Sequence, residues 1–257
     1  MAQQEHFDIR DKVVLITGAA GGIGAALSRA FARAGATLVL TDLAGERLDA
    51  LASELRGSGA KTGSYALQVE DRGACEAVVA GAVADFGGID VLVNCAGVNT
   101  RMRPELYPED VWDRIVDINL KGSFNMCQAV HAPMRARGKG KIINIGSILA
   151  LASNAVTAAY SASKGGVLQL TRSLACAWAA DGIAVNVIQP GWIDTALSRQ
   201  ARVDIPGHAE RVVATTPMGR WGEPEDLVGP ALFLASPGSD FVTGASLVVD
   251  GGVTAHI

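Results

Sequence analysis

Tyr160 and Lys164 stand four residues apart in the segment Tyr160-Ser-Ala-Ser-Lys164. The surrounding residues predict a helix, and side chains at positions i and i+4 share one helix face. We therefore expect the phenol and the ammonium to meet. A phenol ordinarily loses its proton near about pH 10, and a neighbouring cation lowers that pKa because it stabilises the phenolate. The pair predicts a proton-transfer site. The plainer alternative is a buried tyrosine beside a solvated lysine.

A glycine-rich turn near the N-terminus lies between a predicted strand and a predicted helix. Residues 12–17 are an apolar, β-branched run, Gly18-Ala-Ala-Gly-Gly-Ile-Gly24 follows, and residues 25–34 have helical character. Glycines let backbone N–H groups approach a pyrophosphate, and the start of a helix carries partial positive charge. The spacing is not that of a P-loop, because no Lys-Ser/Thr pair follows the last glycine. The turn alone is equally typical of a tight connection.

Asp42 ends the next predicted strand, which begins near Thr37. An acidic residue about 20 positions after a glycine turn suits the two hydroxyls of an adenosine ribose. The same carboxylate repels a 2′-phosphate, and neither residues 19–21 nor Leu43 offers a cation that could hold one. The sequence therefore predicts dinucleotide binding, with NAD(H) preferred to NADP(H).

Further motifs resemble those of the short-chain dehydrogenase/reductase family, and the resemblance extends over nearly the whole chain. Residues 17–24 match the cofactor turn of the family. Asn94-Cys-Ala-Gly97 is similar to its N-N-A-G element, with Cys95 in second place, and Pro190-Gly-Trp-Ile-Asp-Thr195 resembles the segment beside the nicotinamide. Asn119 matches the catalytic asparagine, and Ser147 stands thirteen residues before Tyr160, which is the family spacing.

The resemblance implies a role for each of four catalytic residues. Tyr160 takes or gives the hydroxyl proton while a hydride moves to or from nicotinamide. Lys164 lowers the pKa of Tyr160 and holds the nicotinamide ribose. Ser147 hydrogen-bonds the substrate oxygen, and Asn119 holds a water that links Lys164 to solvent. The resemblance also implies a set of cofactor-binding residues: Gly18, Gly21, Gly22, Ile23, Gly24, Asp42, Gln68, Val69, Asn94, Ala96, Gly97, Tyr160, Lys164, Pro190, Gly191, Ile193 and Thr195.

Gln68 departs from the family pattern, since members often carry Asp before the valine that is Val69 here. An amide then stands where a carboxylate usually accepts from the adenine amino group. The substrate pocket is less determined by sequence. Arg101 and Arg103 are candidates for binding a carboxylate, although solvated loop positions are favoured for both. The predicted substrate residues are Ser147, Leu149, Asn154, Tyr160 and Trp192.

Strand-like and helical segments alternate along the whole chain. This alternation predicts an α/β fold: a single-domain, Rossmann-type, doubly wound parallel sheet of about seven strands with helices on both faces. Residues 1–10 are predicted as a tail and residues 11–257 as one dinucleotide-binding and catalytic domain. The irregular segment of about residues 192–222 is predicted as a substrate lid, with an ordinary surface excursion as the alternative. The strands are expected to begin near Val13, Thr37, Lys61, Ile89, Lys141, Ile183 and Ser246.

Composition narrows the class of protein. The 257 residues are 49% hydrophobic and carry a net charge of −4, which indicates no broad attraction to nucleic acid or an anionic membrane. The four cysteines show no disulfide spacing and the four histidines no metal-ligand spacing. We therefore expect neither a disulfide framework nor a bound metal. There is no apolar run of 18 residues, and residues 1–11 are polar rather than a signal peptide. We expect a cytoplasmic protein that binds no nucleic acid and no membrane.

Two segments predict self-association. Residues 155–180 are small or apolar on nearly every face, which indicates a helix buried on more than one side. Residues 241–252 resemble the strand through which members of the family form tetramers. We therefore expect a homotetramer, with a dimer as the alternative.

The predicted reaction interconverts a secondary alcohol and a ketone with NAD(H). Residues 219–235 resemble the corresponding stretch of sugar-acid dehydrogenases such as gluconate 5-dehydrogenase, although that stretch is largely scaffold. A polyol, sugar or sugar acid is the favoured small-molecule substrate. The main alternative is reduction of a 3-oxoacyl thioester. A minor alternative is a dinucleotide-binding sensor without turnover, against which the presence of all four catalytic residues argues.

Overall fold

The structure is a computed structural model that describes residues 6–256, except for the side chains of residues 200, 201, 203 and 204. Seven strands of this described part form one sheet in the order β3-β2-β1-β4-β5-β6-β7, and every neighbouring pair is parallel. The strands are β1 (Val13–Thr17), β2 (Thr37–Asp42), β3 (Thr62–Ala66), β4 (Val91–Asn94), β5 (Gly140–Ile145), β6 (Ile183–Pro190) and β7 (Ser246–Val249).

Central strands of a parallel sheet are covered on both faces, so they require continuous apolar runs. All five residues of β1 are buried: Val14 and Ile16 pack in one cluster, and Val13 and Leu15 in the other. The predicted fold is confirmed, and each predicted strand start lies within two residues of the observed one. The strand order reverses between β1 and β4, and ligands of such folds bind at the carboxyl ends beside this point.

Helices cover both faces of the sheet. Residues of α1, α2 and α9 contribute to one core cluster, and residues of α3, α5 and α6 to the other. The helices of the described residues are α1 (Gly22–Arg33), α2 (Glu46–Gly57), α3 (Arg72–Phe86), α4 (Glu109–Val116), α5 (Gly122–Ala136), α6 (Ala158–Trp178), α7 (Ala196–Asp204), α8 (His208–Thr215) and α9 (Val228–Ala235).

A π-helical turn, Asp117–Lys121, joins α4 to α5 and carries Asn119. Such turns insert one residue into the helical ladder and are frequent at functional sites. The turn redirects the backbone so that Asn119 becomes fully buried against the loop that follows β4. Its amide therefore faces the interior of the domain rather than solvent.

The segment predicted to be irregular, about residues 192–222, contains two short helices, α7 and α8, separated by Gly207 in the left-handed conformation (φ 69°). Each helix spans fewer than ten residues, so its apolar repeat is too brief to stand out in the sequence. A 3-10 turn, Pro224–Leu227, follows this segment. Glu223 and Asp226 form a capping box, and Pro224 opens the 3-10 turn that leads into α9.

Three further findings apply to the described residues. None of their helices is both long enough and apolar enough to cross a membrane. No cluster of three or more His, Cys, Asp or Glu side chains among residues 6–256 is placed to hold a metal ion. Free thiols are present at Cys75, Cys95, Cys127 and Cys176.

Candidate active site

A cavity of about 1020 Å³ opens beyond the carboxyl ends of β4, β5 and β6. Gly97 follows β4, Ser147 follows β5 and Gly191 follows β6, so the parallel strands deliver all three residues to one edge of the sheet. The structure brings most of the predicted substrate and nicotinamide-side residues together here. Those that line the cavity are Ile23, Gly97, Ser147, Leu149, Asn154, Tyr160, Lys164, Pro190, Gly191, Trp192, Ile193 and Thr195.

Ser147 and Tyr160 meet in this cavity. Ser147 is buried just beyond β5, and Tyr160 lies in the first turn of α6. The Ser147 Oγ accepts the N–H of Leu149 at 3.1 Å and forms a side-chain hydrogen bond with Tyr160. Because the Leu149 N–H occupies an acceptor position of Oγ, the hydroxyl proton is left to point toward the phenol or a substrate oxygen.

The pKa of Tyr160 is set by opposing effects. Burial raises this pKa above its ordinary value, while the hydrogen bond from Ser147 and the positive charge of Arg101 lower it. The lowering that the sequence predicted from Lys164 is not what the structure shows. The Lys164 Nζ lies 5.7 Å from the centre of the Tyr160 ring, and the cation that acts on the phenol is Arg101.

Lys164 shares a face of α6 with Tyr160, as the four-residue spacing predicts. Its ammonium is buried and donates to the carbonyl oxygen of Ile145, the last residue of β5, at 2.7 Å. Burial disfavours the charged form and lowers the Lys164 pKa from 10.5 to about 8. Lys164 is therefore a desolvated cation at the base of the cavity.

Asn119 holds the loop after β4 in place. Its Oδ1 accepts the Val98 N–H at 2.8 Å, and its Nδ2 donates to the Val98 oxygen and to the Ser163 Oγ, both at 3.0 Å. A Cβ added to Gly97 would lie 3.3 Å from the Asn119 Oδ1 and 3.6 Å from the Lys164 Nζ. Asn119 thus ties the loop to α6 beside Lys164, and its predicted link through water stays a prediction.

The glycine turn closes tightly on its neighbours. A Cβ added to Gly24 would lie 2.1 Å from the Gly18 oxygen, and one added to Gly18 would lie 2.8 Å from the Ala96 backbone. A Cβ added to Gly22 would meet Thr195 at 2.9 Å. The turn leads directly into α1, whose start has no side-chain cap among the described residues. The exposed N–H groups of this helix start fit a diphosphate.

Asp42 is anchored at the end of β2, where its two oxygens accept the N–H groups of Ala20 and Leu43, both at 2.8 Å. Arg47 in α2 donates to the Ala20 oxygen at 2.6 Å. A cation therefore lies beside the glycine turn, which the sequence prediction missed. Nothing in the local sequence signals it, because the contact depends on how α2 packs after β2.

Asn94 does not line the cavity, and its predicted contact with the cofactor stays a prediction. Its side chain is buried between β4 and β5, where the Nδ2 donates to the Asn144 Oδ1 at 2.9 Å. Val69 is also buried, and its side chain packs against Gly122. Gln68 is exposed. The predicted cofactor residues outside the cavity lining are Gly18, Gly21, Gly22, Gly24, Asp42, Gln68, Val69, Asn94 and Ala96.

The structure separates Arg101 from Arg103. Arg101 lines the cavity and donates to the Leu197 oxygen of α7 at 3.4 Å. Arg103 is a solvated loop residue, as predicted, and pairs with Glu105 at 2.6 Å on the surface. The solvated position predicted for Arg101 is wrong, because the loop turns its guanidinium across the cavity toward the segment after β6.

An aromatic cluster supports the segment that covers the cavity. The ring of Trp192 lies 5.2 Å from that of His208 and 6.1 Å from that of Trp221, and the Arg202 guanidinium lies 3.9 Å from the Trp221 ring centre. His208 is buried and receives a contact from Arg211 at its Nδ1 (3.1 Å). His208 and Arg211 line the cavity and were missed by the sequence prediction, since only long-range packing brings them there.

Comparison with known proteins adds the class of reaction. A family model described as enoyl-(acyl carrier protein) reductase, of the short-chain alcohol dehydrogenase type, matches residues 18–254. The chain is 41% identical over 252 residues to a D-threitol dehydrogenase of Mycolicibacterium smegmatis, covering 96% of this chain and 95% of that one. It is 39% identical over 246 residues to a 3-oxoacyl-acyl-carrier-protein reductase of Thermotoga maritima, covering 95% and 98%.

The fold has close structural relatives. A gluconate 5-dehydrogenase from Burkholderia cenocepacia, solved in complex with NADP and tartrate, is 39% identical and superposes with a TM-score of 0.95 over 99% of this chain and all of that one. The protein is accordingly an oxidoreductase that uses a nicotinamide dinucleotide to interconvert the alcohol and ketone forms of a small molecule. Its sequence, fold and site geometry agree that the chain belongs to the short-chain dehydrogenase/reductase family.

Proposed function

We propose that the protein oxidises a secondary alcohol of a polyhydroxy compound with NAD, and that sugar acids are its preferred class among polyols, sugars and sugar acids. The observation that carries this proposal is the position of Arg101, which lines the same cavity as Tyr160 and whose charge reaches the phenol. A guanidinium binds a carboxylate through paired hydrogen bonds. The names of relatives that act on threitol and gluconate support a polyhydroxy substrate.

In the proposed mechanism, the chain positions the substrate and moves its proton. A bound nicotinamide supplies the hydride chemistry. The Ser147 hydroxyl hydrogen-bonds the substrate oxygen, and Tyr160 takes the proton of that oxygen during oxidation or returns it during reduction. Lys164 holds the nicotinamide ribose from the face of α6 that it shares with Tyr160. Asn119 holds the loop that follows β4 through its two hydrogen bonds to Val98.

We also propose that NAD is preferred to NADP. Two Asp42 oxygens already accept backbone N–H groups, so the carboxylate is fixed where it repels a 2′-phosphate and accepts from ribose hydroxyls. Arg47 works against this preference, since its guanidinium lies beside the same turn. The Asp42 charge is the more rigidly held of the two, because the Arg47 side chain is exposed. We therefore expect a preference rather than an exclusion.

Reduction of a 3-oxoacyl thioester is the second candidate function, because the Thermotoga maritima relative carries that name. Such a substrate arrives on an acidic carrier protein and requires a basic surface around the cavity mouth. Arg101 and Arg211 line the cavity, but the net charge of the chain is −4. A sensor without turnover is disfavoured because Ser147, Tyr160 and Lys164 converge on one cavity.

Homotetramer formation is part of the proposal. The side chain of Phe241 is fully exposed (105%), and Val248 of the edge strand β7 is 36% exposed. One face of α6 is also exposed, including Arg172 and Cys176. An apolar strand edge and a helix of small residues support burial against further copies of the chain. A dimer is the alternative, and size-exclusion chromatography with light scattering distinguishes the two states.

Two remaining assignments belong to the same proposal. Residues 11–257 act as one dinucleotide-binding and catalytic domain, and residues of about 192–222 act as the substrate lid. Of the predicted tail of residues 1–10, residues 1–5 lie outside the described part of the chain. Ile9 is buried in the core, so the described end of that segment packs with the domain. The lid assignment is supported by Trp192 and His208, which line the cavity from that segment. We place the reaction in the cytoplasm, where thiols such as the exposed Cys176 stay reduced.

The test is NAD reduction across a panel of polyols, sugars and sugar acids, with NADP as a parallel arm. Wild-type protein, Arg101→Ala and the matched control Arg103→Ala are compared on a sugar acid and on its neutral polyol counterpart. We expect Arg101→Ala to lose about 10- to 100-fold more in kcat/KM on the acid than on the polyol, since a charged hydrogen bond contributes about 1.5–3 kcal/mol. Equal losses on acid and polyol, or turnover only of 3-oxoacyl thioesters with NADPH, would refute the proposal.

A further inference from the structure

Gln189 is the penultimate residue of β6 and is fully buried. Its Oε1 accepts the backbone N–H of Ser147 at 2.6 Å. The last backbone bond from this end of β5 to β6 is donated by Gly146 to the Ile188 oxygen, at 2.8 Å. The Gln189 side chain therefore continues the ladder by one position, beyond the point where the two backbones can reach each other.

Gly146 is fitted to this side chain. A Cβ on Gly146 would lie 2.1 Å from the Gln189 Oε1 and 2.8 Å from its Cδ. Any larger residue at position 146 would displace the amide from Ser147. The close approach of the Gly146 backbone to the Gln189 amide indicates a specific arrangement, since an incidental contact would tolerate a β-carbon.

The nitrogen of the Gln189 amide makes no contact among the described residues comparable to that of the oxygen. Within residues 6–256 the Gln189 Nε2 is buried without a hydrogen-bond partner. An unpaired buried amide costs stability, and an apolar side chain of the same size would avoid that cost. Retention of the amide at this position therefore points to the contact that its oxygen makes with Ser147.

We propose that Gln189 is a positioning residue, whose amide oxygen fixes the Ser147 backbone and so keeps the Ser147 hydroxyl directed at Tyr160 and the substrate oxygen. The inference rests on the proposed roles of Ser147 and Tyr160. Ser147 is the second residue beyond β5, so it lacks the two-sided ladder that holds residues within the strand. Three contacts hold it instead: the Gln189 oxygen at its N–H, the Leu149 N–H at its Oγ and the Ala150 N–H at its carbonyl oxygen. Of these, the Gln189 contact alone comes from outside the 3-10 turn that follows Ser147.

Gln189→Met is the direct test, since methionine has similar volume and no oxygen to accept the Ser147 N–H. We expect kcat to fall about 10- to 100-fold, as displaced catalytic groups cause, with the Kd of NADH unchanged by fluorescence titration. The hydrogen bond from Ser147 lowers the Tyr160 pKa. The pH–rate profile of Gln189→Met should therefore move to higher pH, toward that of Ser147→Ala.

The matched control is Asn186→Leu, which removes another buried amide of β6. Asn186 bonds to the Val242 oxygen and the Ala245 N–H, away from Ser147. We expect Asn186→Leu to lower the Tm without moving the pH profile. If Gln189→Met does not fold, Gln189→Asn replaces it, because its amide is one carbon too short to reach Ser147.

A double variant separates positioning from general support of the fold. In the Ser147→Ala background, Gln189→Met should cause no further loss of kcat, since the hydroxyl that it positions is gone. Multiplicative losses, or an unshifted pH profile in Gln189→Met, would overturn the inference. Failure of the proposed function is distinguishable, because Ser147→Ala itself would then retain the wild-type rate.

Discussion

Asn119 and the backbone of Val98 exchange two hydrogen bonds, one in each direction, at 2.8 and 3.0 Å. This pairing imitates the bonding between two strands, although Asn119 lies in a π-helical turn and Val98 in a loop. Through it the loop after β4 is held against α6, where Lys164 is buried. The geometry of the site therefore depends on an amide that does not line the cavity.

Asn119→Ala should lower both stability and activity. The substitution leaves the N–H and C=O of Val98 without their buried partner, which costs about 1–3 kcal/mol per unpaired group. We expect a lower Tm and at least a tenfold loss of kcat. The control is Asn186→Ala, which removes a buried amide bonded to the Val242 oxygen, remote from the cavity. An equal loss of kcat in the control would assign the effect of Asn119 to stability alone.

Removal of the Arg101 charge should shift the pH dependence of alcohol oxidation. Tyr160 accepts a proton only when it is deprotonated, so the rate rises with pH up to its pKa. Burial raises that pKa and Arg101 opposes the effect. With Arg101→Met, the rise in kcat/KM on a neutral alcohol should therefore move to higher pH. Arg103→Met serves as the control, and a shared shift would contradict the assignment.

Lys164→Met should stabilise the protein in the absence of cofactor while abolishing turnover. The pKa of Lys164 is lowered from 10.5 to about 8 in the folded protein. Between these two pH values the unfolded chain therefore binds more protons than the folded protein. The free energy of unfolding of the wild-type protein then rises with pH across that window. Removing the buried ammonium relieves this cost below about pH 8. After loss of its bond to Ile145, the net gain is ~1–2 kcal/mol, or ~2–8 °C in Tm.

The measurement is thermal unfolding of wild-type protein and Lys164→Met at pH 7 and at pH 10. The difference in Tm should shrink at the higher pH, because Lys164 is then neutral in the folded protein. Gln169→Met, at an exposed position of the same helix, controls for helix propensity. A lower Tm for Lys164→Met at pH 7 would show that the ammonium stabilises the apo-protein.

Sequence reasoning recovers the fold because its determinants are local. The apolar run at Val13 and the four-residue spacing of Tyr160 and Lys164 each act within one element. The different environments of Arg101 and Arg103 could not be predicted, because they depend on the path of one loop. That loop turns Arg101 toward Leu197 and Arg103 toward Glu105. Gln189 was missed on the same grounds, since Ser147 lies 42 residues before it.

Asp42→Ser should change the preference between NAD and NADP. The substitution removes the charge that repels a 2′-phosphate and leaves Arg47 beside the turn. We expect the ratio of kcat/KM for NADP to that for NAD to rise about 10- to 100-fold, because a phosphate–guanidinium contact contributes about 1.5–3 kcal/mol. In the same background, Arg47→Ala should reverse the gain. Unchanged NADP use in Asp42→Ser would remove Asp42 from the selection of cofactor.

Truncation of Trp221 should weaken substrate binding without weakening cofactor binding. The Trp221 ring packs against His208 at 5.8 Å and against Trp192, and both partners line the cavity. Trp221→Ala removes this support and the contact with Arg202.

We expect KM for the alcohol to rise about tenfold, since the lost aromatic contacts contribute about 0.5–1.5 kcal/mol each, while the Kd of NADH stays at its wild-type value. Trp112→Ala is the control, because Trp112 is 39% exposed on α4 and does not line the cavity. A rise in both constants would assign Trp221 to the stability of the whole domain. An unchanged KM would remove the segment of residues 192–222 from substrate binding.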